Sequence, residues 1–290
     1  MSWMSNSRPS SDQASRLRQL TRQARPSAVT IAVVSGKGGV GKSSIAANLS
    51  ICFSARGLAT TLVDVDLGLA NADLLLGLHA RWTLAHVVAG SHTLEDVILD
   101  GPGGIRFIPG ASGLHDLANL SEFERQNLIM QLQKLENNTD IVVLDCGAGL
   151  SKNVTGFALA ADRVLVVTTP QPTALTDAYA TIKALQRERC HGQLGLFVNM
   201  VESRSEARSV YRRVSDVAQK FLNLSVADIG YMVHDTAVEL AVQARCPFVI
   251  GDPGSNASAC IAAVARRIAQ TMDSRESRGG FFRRVAGLFV

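Results

Sequence analysis

Apolar residues along this chain follow two alternating patterns. Short continuous apolar runs recur through the body, the first being Val29-Thr-Ile-Ala-Val-Val-Ser35. A run of strand length with no polar side predicts a strand buried on both faces, as in a parallel sheet. Further strands are predicted at Thr60–Asp64, Ile105–Pro109, Asp140–Asp145, Arg163–Thr168, Gln193–Asn199 and Val226–Tyr231. Between them, apolar positions return at helical spacing in Ser43–Arg56, which Gly57 closes. The same spacing marks Ser121–Glu136, Thr176–Arg189, Ser205–Leu222, Thr236–Ala244 and Ser258–Met272. This alternation predicts an α/β fold, a single doubly wound domain with a mostly parallel sheet flanked by helices. No internal repeat or linker divides residues 29–272, which lie between an N-terminal segment at 1–28, expected to be flexible, and a linker with a C-terminal amphipathic stretch at 273–290.

The first strand runs into Ser35-Gly-Lys-Gly-Gly-Val-Gly-Lys-Ser43. Residues 36–43 fit the phosphate-loop pattern G-x-x-x-x-G-K-[ST], in the required context of strand before and helix after. Gly36, Gly38, Gly39 and Gly41 let the backbone fold tightly, so that its N–H groups point at phosphate oxygens. The helix that follows adds its positive amino end. Lys42 is expected to reach the β- and γ-phosphates, and the Ser43 hydroxyl to ligate Mg²⁺. The expected cradle comprises Gly36, Lys37, Gly38, Gly39, Val40, Gly41, Lys42, Ser43 and Ser44.

Two strands end in carboxylates. Leu62-Val-Asp-Val-Asp66 places Asp64 and Asp66 at i and i+2, on one face at the carboxyl edge of a parallel sheet, where ligands bind. Either can instead cap the next turn. Ile141-Val-Val-Leu-Asp145 looks like a Walker B element, with Asp145 holding Mg²⁺ through water. Cys146-Gly-Ala-Gly149 after it is flexible enough to respond to a γ-phosphate.

Lys37, a second lysine inside the loop, goes beyond a plain phosphate loop. With it the sequence resembles the deviant Walker A family of MinD and ParA, whose loop reads K-G-G-x-G-K-[ST]. The resemblance implies a MinD-like P-loop ATPase that converts ATP slowly to ADP and phosphate with Mg²⁺, and that forms a homodimer when ATP-bound. Within it, Lys37 contacts phosphates across the dimer. Asp66 orients or activates the attacking water close to the metal, and Asp64 supports the Mg²⁺ shell or a hydrogen-bond network. Asn199 matches the asparagine that reads adenine. Gly230-Tyr-Met-Val-His-Asp235 resembles the base-flanking loop, with Val233 where that loop often has Pro.

Asp66-Leu-Gly-Leu-Ala-Asn-Ala-Asp-Leu-Leu-Leu-Gly77 looks like the MinD-type switch region more than the D-P-Q form of plasmid-partition ParA. Pro172-Thr-Ala-Leu-Thr-Asp-Ala-Tyr-Ala180 with Ile182-Lys-Ala-Leu is similar to the flagellar-number regulators of the family, FlhG or FleN. Asp12-Gln-Ala-Ser-Arg-Leu-Arg18 matches their D-Q-A-x-x-L-R segment. That match implies a signal-recognition-type partner GTPase, FlhF, whose hydrolysis the segment stimulates through Asp12, Gln13, Ala14, Leu17 and Arg18. Flagellar switch proteins or a transcription regulator are further partners the resemblance suggests.

Composition narrows the classes. At 47% hydrophobic and 19% charged, the chain excludes wholesale disorder. Its five cysteines form no CxxC pair, which argues against a zinc ribbon, a dithiol site or a cluster carrier, and suits buried thiols in a reducing cytoplasm. Net charge is +4, but residues 1–28 carry +4 and residues 273–290 carry +2, which leaves the body at −2. The body thus predicts no specific nucleic-acid surface. No apolar run reaches the roughly 20 residues of a membrane span. In Gly280–Val290, however, Phe281, Phe282, Val285, Leu288 and Phe289 share one helical face with Arg283 and Arg284 off it. Such a helix can lie in an anionic membrane surface or dock on its own core. The expected location is cytoplasmic, peripheral at the inner face of the membrane in the ATP-bound state. A MinD-like division-site ATPase and a ParA-type DNA-partition ATPase are the alternatives. A metabolic enzyme on the same fold is disfavoured by the absence of CxxC and of a glutaminase-length domain.

Overall fold

Burial on both faces of the strands is the main organising force. We describe a computed structural model of the chain over residues 28–66, 71–110, 121–136, 138–149, 152–272, 280–281 and 284–285. Its strands are β1 (Val29–Ser35), β2 (Thr60–Val65), β3 (Leu99–Asp100), β4 (Arg106–Ile108), β5 (Ile141–Ala148), β6 (Arg163–Thr168), β7 (Gln193–Val201) and β8 (Ala227–Val233). They form one sheet in the order β3-β4-β2-β5-β1-β6-β7-β8. Every pairing is parallel except β3 with β4 at the edge.

The helices are α1 (Lys42–Ser54), α2 (Ala72–Leu75), α3 (Leu84–Val88), α4 (Leu94–Val97), α5 (Glu122–Glu136), α6 (Lys152–Ala160), α7 (Pro172–Arg187), α8 (Arg204–Leu222), α9 (Thr236–Ala244), α10 (Phe248–Gly251) and α11 (Asn256–Gln270). Ile31 and Val33 of β1 face one layer, where Ile45, Leu49 and Phe53 of α1 and Ile261, Val264 and Ile268 of α11 cover them. Ala32 and Val34 face the other, under Phe157 and Ala158 of α6, Ile182 and Leu185 of α7, and Val210 and Val214 of α8. Fully burying one such side chain contributes about 1.5–3 kcal/mol.

The predicted strands and long helices are present, with shifted ends. β5 continues past Asp145 because Ser35 of β1 still pairs with Ala148. α7 starts at Pro172 rather than Thr176, since proline at the first helical turn gives up no hydrogen bond. The short helices α2, α3, α4 and α10 and the edge strand β3 were not anticipated, because four or five residues carry too little periodicity. α6, nine residues long, was also missed.

The partner-binding residues expected at Asp12–Arg18, and Phe282, Leu288 and Phe289, lie outside the described residues. Phe281 and Val285 are inside them. Both are buried in the α6–α8 layer, 1% and 7% exposed. Arg284 beside them donates from Nε to the Ala160 carbonyl at 2.8 Å and pairs through Nη2 with Asp162 Oδ1 at 2.8 Å. Asp162 in turn accepts from the Thr30 amide and hydroxyl through Oδ2. Phe281, Arg284 and Val285 are thus seated on the domain near the amino edge of the sheet. Among the described residues, no helix is long and apolar enough to cross a membrane.

Candidate nucleotide site

The carboxyl ends of β1, β2, β5 and β7 converge on the loop after β1, as expected of an open α/β sheet. Gly39 and Gly41 take left-handed φ values of 77° and 87°, which glycine adopts without steric cost. Gly41 caps α1, so Lys42 begins the helix and is held 8% exposed beside the carboxylates. Ser35 Oγ donates to the Lys37 carbonyl at 2.6 Å and tightens the turn. A Cβ on Gly36 would lie 2.4 Å from the Asp177 carbonyl, so the loop is seated directly on α7.

Lys37 also reaches α7. Its Nζ donates to Thr173 Oγ1 at 3.2 Å and to Gln171 Oε1 at 3.4 Å. These are exposed bonds to neutral groups, each worth about 1 kcal/mol or less. The lysine that the sequence placed across a dimer is therefore held within its own subunit here, by contacts that are easily exchanged.

Asp64 and Asp145 are register neighbours on β2 and β5, each 2% exposed. Asp64 accepts from the Asp66 amide at 2.9 Å and the Ala72 amide at 3.3 Å, so it caps the turn after β2. Burial, and then the facing Asp145, hold its carboxyl well above the usual range. Burial pushes Asp145 up to about 6, against the pull of the Ser43 hydroxyl and the Lys42 ammonium. Asp145 Oδ1 is buried with no hydrogen-bond partner. An orphaned carboxylate oxygen beside the Ser43 hydroxyl fits a hydrated, hard divalent cation such as Mg²⁺. Asp66 lies just beyond β2, and its Oδ1 would be 3.0 Å from a Cβ on Gly147. That places it against the Cys146–Gly149 segment.

Asn199, at the end of β7, is buried with its carboxamide directed at the loop. Nδ2 donates to the Val40 carbonyl at 2.8 Å, and Oδ1 accepts from the Met200 amide at 2.8 Å. In the predicted base-flanking loop, Asp235 caps α9 by accepting from the Ala237 amide and also receives the Ala257 amide. Gln171, Thr173 and Asp177 entered the site without being singled out beforehand. Their signal was available, because they flank or fall within the segment beginning at Pro172 that follows the carboxyl end of β6. Thr169, whose buried Oγ1 also lacks a partner, belongs to the same turn.

Known proteins resemble this arrangement. The sequence profile of a family described as AAA domain matches residues 28–194. Antiactivator FleN of Pseudomonas aeruginosa is 39% identical over 238 residues, covering 82% of this chain and 85% of that protein. Flagellum site-determining protein YlxH of Helicobacter pylori is 36% identical over 202 residues, or 70% of this chain and 67% of that one. The septum site-determining protein MinD of Pyrococcus horikoshii, solved with Mg-ADP, superposes with a TM-score of 0.70 at 24% identity, covering 84% and 97% of the two chains.

The site carries a stability cost that can be measured. Because the folded state raises the Asp145 pKa from 3.8 to about 6, it binds more protons than the unfolded chain between those values. Unliganded stability therefore declines as pH rises through that window, and the penalty is complete above it. Asp145→Asn should raise the thermal midpoint at pH 7.5, flatten its pH dependence between about 4 and 6, and weaken Mg²⁺-dependent ATP binding. A variant with the wild-type midpoint at pH 7.5 would contradict this.

Proposed function

The chain belongs to the MinD/ParA family of P-loop ATPases, and on that premise we propose that it is a slow regulatory ATP hydrolase. It dimerises with ATP, associates peripherally with the inner membrane surface and regulates flagellar number and placement. One observation carries the catalytic part: a glycine loop with a buried Lys42, beside a partnerless carboxylate oxygen on Asp145. The regulatory part is supported by the likeness to FleN and YlxH.

The chain's own groups divide the work. Loop N–H groups and the α1 amino end bind the phosphates. Lys42 offsets their charge from below. Ser43 and Asp145 would hold Mg²⁺, which would supply neutralising charge for the transferring phosphate. Asp66 orients the attacking water. Lys37 exchanges Gln171 and Thr173 for the partner subunit's nucleotide, which makes hydrolysis depend on dimerisation. Residues 12–18 contact the GTPase FlhF and stimulate it.

The tail supplies the membrane switch. In the described conformation Phe281 and Val285 cover the core. Released, they join Phe282, Leu288 and Phe289 on one apolar face. One short helix binds a bilayer weakly, but two copies on a dimer bind far more tightly through effective concentration.

A ParA-like reading has one observation in its favour. Arg204, Arg208, Arg212 and Arg213 of α8, with Ser205, Ser209 and Asp216, line an open cleft of about 640 Å³. The net −2 of the body conceals this local basic surface.

Vesicle sedimentation separates the readings. Wild-type protein should pellet with anionic vesicles in ATP and stay soluble in ADP, and removal of residues 280–290 should abolish pelleting. Arg284→Ala, which breaks the clasp to Asp162 and Ala160, should raise pelleting in ADP several-fold. Equal sedimentation in both nucleotides would sink the switch. A steep, salt-dependent DNA shift by the ATP-bound protein would favour the ParA-like reading. Asp66→Ala should lower ATP turnover at least about tenfold while keeping ATP binding, trapping the dimer on vesicles. Normal turnover would remove Asp66 from the mechanism.

A further inference from the structure

We propose that Asn199 is a positioning residue for the phosphate loop: its carboxamide, fixed by a β-bulge at Asn199–Met200, clamps the Val40 carbonyl and so holds the loop in its phosphate-accepting shape. The proposal rests on reading the loop as a triphosphate cradle, and it concerns the loop rather than the base.

Four observations converge. The first is the register of β7 against β8. Val198 pairs with Tyr231 and Val201 with Val233, so Asn199 and Met200 together stand opposite Met232 alone. One extra residue in β7 is a bulge, and bulges beside functional sites re-aim a side chain. The second is Met200, which takes φ 57°, a left-handed value uncommon for a residue with a side chain. Such a conformation persists only where its surroundings over-determine it.

The third is the hydrogen bonding. Met200 N can only donate, so the carboxamide atom facing it is the oxygen. The Val40 carbonyl can only accept, so the atom facing it is the nitrogen. The two partners fix the orientation of the amide without ambiguity. Both lie within hydrogen-bond distance, and Asn199 is 1% exposed. The fourth comes from the loop. A Cβ on Gly41 would fall 2.5 Å from Asn199 Nδ2, so the asparagine fills the space that glycine leaves at this left-handed position.

The physical consequence is specific. Val40 precedes Gly41, and the Gly41 carbonyl accepts the first α1 bond, from the Ile45 amide. Pulling the Val40 carbonyl toward β7 turns that peptide's oxygen toward the strand. A carbonyl free to turn inward would present negative oxygen to the phosphates, which the cradle cannot tolerate. The clamp excludes that state before nucleotide arrives.

The decisive variant is Asn199→Asp. It keeps size and the acceptor for Met200 N, but sets a carboxylate oxygen against the Val40 carbonyl. Titration with ATP and with inorganic tripolyphosphate should show both affinities falling by a similar factor, about tenfold or more. Hydrogen exchange on the unliganded variant should show faster exchange at the amides of residues 38–43, with the sheet amides unchanged. Loss of ATP affinity with tripolyphosphate binding intact would overturn the proposal and leave only base recognition. If the variant does not fold, the wild-type protein still decides the matter. One Asn199 carboxamide proton should be protected from solvent exchange without nucleotide, and free exchange of both would overturn the clamp. A wild-type chain that binds neither ATP nor tripolyphosphate would sink the reading of the site, while the exchange results would still judge the clamp.

Discussion

One ammonium against three carboxylates is the constraint on which this structure turns. Lys42 faces Asp145 at the carboxyl edge of the sheet, with Asp64 and Asp66 beside that acid, and Asp64 and Asp145 are almost fully buried. A buried carboxylate is costly unless paired, and here the pairing is incomplete. Asp64 satisfies itself with backbone amides, which leaves Asp145 with an orphaned oxygen. The fold tolerates this because the rest of the sheet is a continuous apolar slab on both faces. The cost is recovered when a cation and a polyanion arrive together. Such a site is stabilised by its ligands, so nucleotide and magnesium act on the fold as well as occupying it.

The same edge fixes the loop from two directions. Gly36 rests on the Asp177 carbonyl of α7, and Lys37 hydrogen-bonds the start of that helix. On the other side, Asn199 reaches from β7 to Val40. The phosphate cradle is thus held between helix α7 and strand β7, which β6 separates from β1 in the sheet. Its glycines supply conformational freedom, and these neighbours remove it again. Preorganisation of this kind lets backbone N–H groups bind phosphate without first having to order the loop.

Sheet strands and long helices were legible because their signal is periodic burial, and both β1 and α11 show it over many residues. Gly36–Ser43 was legible because chemistry dictates each residue type there. Asp145 was legible from an apolar run that meets an acid, although β5 itself continues to Ala148. What sequence could not reveal depended on contacts distant along the chain. Nothing local to Gln171 or Thr173 says that Lys37 docks on them, and nothing local to Asn199 announces a bulge. Charge arithmetic is blind to local clustering. Averaging residues 29–272 to −2 hid four arginines that helical spacing gathers on one side of α8. Periodicity reads the tail as an amphipathic helix but is silent about whether its apolar face meets lipid or protein; for Phe281 and Val285 alone, burial against the domain supplies that information.

Site and tail lie at opposite edges of the sheet, so a nucleotide switch needs something to connect them. α6 is well placed. It follows the Cys146–Gly149 segment, where a Cβ on Gly147 would touch both Asp66 and Val154 of α6. It ends at Ala160, whose carbonyl receives Arg284, two residues before the Asp162 that completes the clasp. One nine-residue helix therefore begins close to Asp66 and ends at Arg284. A helix moves most readily as a rigid body, since its internal bonds are stiffer than its side-chain contacts. Gly147 itself belongs to β5, which runs to Ala148, and Phe157 and Ala158 pack α6 onto the sheet, so the helix is held along its length in this structure.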